Sequence, residues 1–221
     1  MITMPTRTKL PKPQRLDKKG LMRNLDLTSN EKKDLTDQIA KLEITHQINT
    51  ASTNIPTGEK VTQMMVIRIC LKGKDLNPDL LHAIDEQLPM YVIFTIEDDE
   101  HNERLVINFK EPLIIERNNR KFVIKRTFES NQDETIYFEG KNLDDVYANL
   151  VRNVAKDELV STTGSINIAQ AVDITMEIEK LTKHADRLKK KMYSEKSMQK
   201  QMEAKRERNR ILEQIVELKG K

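Results

Sequence analysis

The chain has 221 residues, of which 37% are hydrophobic, 33% charged and only 4% aromatic. That supplies one modest core and too much charge for a wholly globular chain of this length, so part of the sequence must form extended surface. One cysteine, Cys70, excludes a disulfide framework and points to a reducing, cytoplasmic setting. No apolar run is long enough to span a membrane, and the N-terminus carries no hydrophobic signal segment.

The net charge of +3 conceals an asymmetry. Residues 1–24 carry +6, residues 25–179 carry −11 and residues 180–221 carry +8. Basic ends on an acidic middle suit contact with nucleic acid, docking on another copy, or plain solvation.

Residues 1–20 hold Pro5, Pro11 and Pro13 among lysines and read as a basic extended arm. From Leu21 the pattern becomes helical. Thr28 and Glu31 form a candidate capping box, and Leu35, Ile39 and Leu42 follow at helical spacing. His46 to Gly58 is polar and reads as a loop. Val61 to Leu71 is the central strand, with Met65, Ile67, Ile69 and Leu71 on one face and Met64, Val66, Arg68 and Cys70 on the other. Cys70 therefore reads as a small core residue rather than a nucleophile.

Asn77-Pro78 caps and starts a helix whose stripe is Leu80, Leu81, Ile84 and Leu88. Pro89 ends it, and Met90 to Ile96 is a second strand, expected to lie parallel to the first. Leu105–Phe109 should return as a hairpin, broken at Pro112 and followed by a strand pair over residues 113–128 and a short strand at Thr135–Phe138. Asn142 caps an amphipathic helix carrying Leu143, Val146, Tyr147, Leu150, Val151 and Val154. The expected fold is α+β: residues 21–157 form a mixed sheet with packing helices, residues 158–166 a linker, and residues 167–221 a basic helical tail.

In the tail, Ile174, Ile178, Leu181, Ala185, Leu188 and Met192 recur at steps of four and three, as in a coiled-coil seam. A second, offset run follows at Met198, Met202, Lys205, Asn209, Leu212 and Val216, polar in its middle, and Ile211, Ile215 and Leu218 widen the stripe at its end. Between them, Tyr193 to Ser197 marks either a kink or the turn of a hairpin. The apolar residues Ile174, Ile178, Leu181, Leu188, Met192, Met202, Leu212 and Val216 are the candidate partner-binding surface. Lys189, Lys190, Lys191, Arg206, Arg208 and Arg210 are the candidate phosphate contacts, with no aromatic interleaving for base stacking.

Chemical motifs are sparse. The four histidines lie far apart, and the six glycines form no phosphate-cradling loop, so no cofactor or metal is expected. A metal-dependent nuclease would need convergent carboxylates and a lysine at strand ends. Asp98 and Asp99 are its weak candidates, and a solvated turn is the plainer reading.

Several stretches together resemble one bacterial family, the domain-of-unknown-function family numbered 4391. They are the Asn54-Ile55-Pro56 loop, the Val61–Leu71 strand, Ala83-Ile84-Asp85-Glu86-Gln87-Leu88-Pro89, and above all Gly140-Lys141-Asn142-Leu143-Asp144-Asp145-Val146-Tyr147. The tail element Lys200-Gln201-Met202 adds to the likeness. The resemblance implies a place beside helicase and DNA-methyltransferase genes in restriction-like, anti-phage clusters, and supplies no catalytic residues. It implies an accessory subunit docking on a helicase or methyltransferase partner through its helical tail, with the basic ends on DNA or a homo-oligomer as further options.

Overall fold

The computed structural model describes residues 2–117, 119–131, 135–160 and 167–220. The chain divides into two compact units, a body (Met1–Ala155) and a tail (Lys156–Lys221).

The body is a six-stranded mixed sheet whose strands lie side by side in chain order. Its strands are β1 (Lys9–Arg15), β2 (Ile39–Ile48), β3 (Met64–Leu71), β4 (Tyr91–Glu97), β5 (Glu103–Arg117) and β6 (Arg120–Ser130). Helices α1 (Lys18–Asn24), α2 (Ser29–Asp37), α3 (Thr50–Thr53), α4 (Pro78–Gln87) and α5 (Leu143–Ala155) complete it. β3 and β4 run parallel, with Ile67 beside Phe94, and the other neighbours are antiparallel. The expected α+β class, with its parallel pair joined by a helix, is the observed one.

The reasons are local. Asn77 Oδ1 accepts the Asp79 N–H at 3.0 Å and Pro78 occupies the first turn, so α4 starts where the sequence directs. Thr28 and Glu31 make both bonds of the capping box. One core joins α2 and α4 to a single sheet face: Leu35, Leu80 and Ile84 meet Ile67, Ile69, Phe94 and Ile96. The other face of β3 is buried at Met64 and Val66 and only half-buried at Arg68 and Cys70.

Three expectations are corrected. Ile39 and Leu42 do not extend the first helix; they belong to β2, which runs through His46. Ile39, Ile44, Thr45 and Ile48 are β-branched and fit a pleated surface better than a helix. Pro112 does not end β5, because the ladder already shifts register between Pro112 and Arg117 and a missing N–H is tolerated at such an irregularity. Thr135 makes only an isolated bridge with Thr3 rather than a strand.

The arm expected over residues 1–20 contains β1, which pairs with β2 at the sheet edge. Its two prolines suit an edge strand, where one side of the ladder is unpaired. At the other edge, β4 pairs with β5 from Glu103 to Ile107, whereas β6 follows β5 as far as Arg117. The pair therefore outruns the sheet as a two-stranded ribbon carrying the fully exposed Ile114.

The tail is a helical hairpin of α6 (Ile168–Ser194) and α7 (Met198–Lys219), joined at Glu195–Ser197. Of the kink and the hairpin left open by the sequence, the hairpin is the one formed. The Glu195 carboxylate accepts the Lys196 and Ser197 N–H groups, and Gln201 Nε2 donates to the Glu195 carbonyl at 2.6 Å. Much of the linker expected at 158–166 lies outside the described residues.

Candidate interaction surface

The stretch that carries the family resemblance is, residue by residue, scaffolding. Asn142 Oδ1 caps α5 by accepting the Asp145 N–H at 2.9 Å. Leu143 and Val146 are fully buried. Asp144 reaches back to the loop before β3 and accepts the N–H groups of Glu59 (2.8 Å), Lys60 (3.2 Å) and Val61 (2.7 Å). Gly58 gives it room, since a Cβ there would lie 2.7 Å from the Asp144 backbone nitrogen. Gly140 is likewise confined, with a Cβ placed 2.8 Å from Val146 N. The Tyr147 hydroxyl donates to the Asn108 carbonyl at 2.7 Å and accepts the Lys110 N–H at 3.1 Å, stitching α5 to β5.

Beneath α4 lies a buried polar network that sequence reasoning missed. Lys110 Nζ sits 2.6 Å from Asp85 Oδ1 and also donates to the carbonyls of Asp85 and Met90. Asn108 Nδ2 donates to Asp85 Oδ2 at 2.8 Å. Thr127 Oγ1 then bonds Asn108 Oδ1, and His82 Nε2 lies 2.7 Å from Thr127 Oγ1. The ammonium also lies 4.3 Å from the Phe122 ring centroid. Burial pushes the Asp85 carboxyl up and the Lys110 ammonium down, and each partner's charge opposes the shift. Both side chains are buried and both charges have full sets of partners, so the network joins α4 to β5 rather than presenting a reactive group.

The carboxylates proposed for nuclease chemistry serve a turn. Asp98 accepts from the Glu100 and Asn102 N–H groups and from Asn102 Nδ2, and these bonds lower its pKa, with the Asn102 side chain foremost. Asp99 is exposed. Their neighbour Glu97 is held low by the Arg68 guanidinium first and by His101 second. Cys70 Sγ lies 4.0 Å from Glu97, with burial pushing the thiol up. Among the described residues no group of three or more His, Cys, Asp or Glu side chains is placed to hold a metal ion.

The tail presents a different surface. The first seam is the packed face of α6: Ile178, Ala185 and Leu188 are buried, with Ile174, Leu181 and Met192 alongside. It meets Ala204, Ile211 and Ile215 of α7. Ile174, Ile178, Leu181, Leu188 and Met192 thus close the hairpin. The packed face of α7 is displaced by one residue from the second run expected there, because Gln201, Ala204, Arg208, Ile211, Ile215 and Leu218 keep the same steps of three and four. Met202, Leu212 and Val216 are left outside, with Met202 51% and Val216 70% exposed, and Met198 at 76% continues their row.

The basic candidates fall into two groups. Lys189, Lys190 and Lys191 are exposed on the last turns of α6, where positive charge also suits a helix C-terminus. Arg206 and Arg210 are exposed on α7, whereas Arg208 turns its Nε into the seam, buried and without a hydrogen-bond partner among the described residues. His184 Nε2 lies 3.8 Å from Glu207 Oε1, which sets the two helices in register. The lysines then sit nearest the turn and the arginines about 10 Å further along the hairpin. Glu203 and Glu207 lie among the arginines, so the charges do not form one phosphate track.

Among the described residues no helix is long and apolar enough to cross a membrane. No curated protein matches the chain, and no solved structure does. The structural roles of Gly140, Asn142, Asp144 and Tyr147 account for the residues on which the resemblance rests, and the family match extends from residue 2 to residue 215. The chain belongs to the family described as Domain of unknown function (DUF4391).

Proposed function

We propose that this protein is a non-catalytic adaptor of the bacterial cytoplasm, built to hold other macromolecules together through its helical tail. The observation that carries this reading is the division of apolar residues in α7. One row closes the hairpin, and a second row, Met198, Met202, Leu212 and Val216, is exposed. Exposed large apolar side chains in a row mark an interaction surface. The body supports the same reading, because its buried Asp85–Lys110–Asn108 network is used for packing and its family-bearing motif is scaffold. The assembly that suits the family resemblance is a restriction-like, anti-phage complex containing a helicase or DNA methyltransferase, with the basic groups near its DNA.

The test compares the full chain with a chain ending at residue 165, each tagged and recovered from the native host at low and high salt. A helicase or methyltransferase retained at high salt by the full chain alone is the expected result. Recovery of nucleic acid alone, removed by salt, overturns the adaptor reading. Metal-dependent plasmid cleavage lost on Asp98→Ala and Asp99→Ala would favour the nuclease alternative instead.

A further inference from the structure

We infer that the exposed row of α7 is a self-complementary surface that pairs two copies of this chain antiparallel about a two-fold axis. The inference rests on the reading of that row as an interaction surface and names its occupant. Along α7 the row is Met198, Met202, Lys205, Asn209, Leu212, Val216. Its character is apolar, apolar, polar, polar, apolar, apolar, at steps of four, three, four, three and four. Both the character and the steps read the same in either direction about Glu207. A two-fold interface joins a surface to itself, so an antiparallel helix pair requires this property of its contact row. Met198 of one copy then faces Val216 of the other, Met202 faces Leu212, and Lys205 faces Asn209.

Packing allows it. The row lies about 110° around α7 from the hairpin seam, so a second copy can dock without opening the first. The result is a bundle of four helices, two from each hairpin. Electrostatics selects the direction. A parallel pair would set Lys205 against Lys205. The antiparallel pair sets each Lys205 ammonium by an Asn209 amide oxygen that can accept its hydrogen bond. A polar pair inside an apolar row fixes register at some cost in affinity. Arg206, exposed, flanks the axis and meets its own copy, while Arg208 stays turned into the hairpin seam and Glu207 is turned away toward His184. Like charge at the centre weakens the pair, and salt screens it, so the dimer should tighten as salt is raised. A contact made through opposite charges would loosen.

Sedimentation equilibrium of the full chain over a range of concentrations tests this. The expected result is a monomer–dimer equilibrium that shifts toward dimer with salt. Met202→Glu, at an exposed position, should weaken it by about tenfold or more with the circular dichroism spectrum unchanged. Register is read by disulfide formation on a Cys70→Ala background. Met202→Cys combined with Leu212→Cys should give a covalent dimer. Met202→Cys alone should not, because the two copies of residue 202 lie about 15 Å apart along the pair. A monomer at every concentration, a dimer indifferent to Met202→Glu, or ready cross-linking by Met202→Cys alone overturns the inference. A monomer that still retains a salt-resistant partner removes the second copy and leaves the adaptor reading standing. A dimer that retains no partner does the reverse.

Discussion

Asp144 Oδ1 accepts the backbone N–H of Val61 at 2.7 Å, although 83 positions separate them in the chain. The same carboxylate takes the N–H groups of Glu59 and Lys60, so one side chain at the start of α5 satisfies three donors in the loop that leads into β3. Asp144→Ala should lower the stability of the body by about 1–3 kcal/mol, read from urea unfolding. Gly58→Ala should act on the same contact by pushing its Cβ into the Asp144 side chain and backbone. Combined with Asp144→Ala, it should cost less than the sum of the two, because the second change removes part of what the first collides with.

Lys110→Met leaves Asp85 buried without its counter-charge, and a loss of about 3–5 kcal/mol is expected. Pairing it with Asp85→Leu should recover much of that loss, since an apolar pair needs no mutual neutralisation. Thermal or urea denaturation of the two single variants and the double variant checks the order. A double variant as weak as Lys110→Met alone would mean that Asn108 and Met90 depend on the charges for their placement.

Glu97 gives the pH dependence. Its carboxyl titrates below its ordinary 4.5 in the folded chain, chiefly because the Arg68 guanidinium bonds it, with His101 adding to the effect. A depressed carboxylate pKa contributes stability above the unfolded value, and that stability is lost as pH falls through the folded one. The difference in urea midpoint between the natural chain and Glu97→Gln should therefore be constant near neutrality and shrink as pH drops below about 4.5. A difference that persists into strong acid would show that the carboxylate's charge is not what Arg68 needs.

The two faces of α7 separate cleanly by mutation. Ile211→Ala removes a buried side chain from the hairpin seam and should cost the tail about 2–4 kcal/mol. Met202→Ala, at an exposed position, should leave the folding of a dilute sample almost unchanged. Hydrogen exchange of the α6 and α7 amides distinguishes the two, with protection falling in the first variant alone.

Much of this was legible beforehand. Asn77-Pro78, the Thr28 capping box and the seam from Ile174 to Met192 carry their chemistry within one or two turns, so a local pattern suffices. Ile39 and Leu42 misled because a short apolar run fits both periods, and only pairing with β3 decides between them. In α7 two rows interleave, and the buried one contains Ala204 and Arg208, which weaken its apolar signal. The outer row opens with two methionines where the buried one opens with Gln201 and Ala204, and it therefore looked like the seam. The Asp85–Lys110 pair joins positions 25 residues apart through the topology of the sheet, and nothing local announces it.

The late position of α5 bears on how the chain is made. Asp144 and Tyr147 both reach back, to a loop and a strand synthesised well before them. A nascent body that has emerged only through β6 still has open donors at Glu59, Lys60 and Val61, and lacks the helix that packs on β5 and β6. Translation through Ala155 supplies both at once, so completion of the body is timed to a single helix leaving the ribosome. The hairpin residues follow α5 in the chain, so their exposed methionines emerge after the helix that closes on β5 and β6.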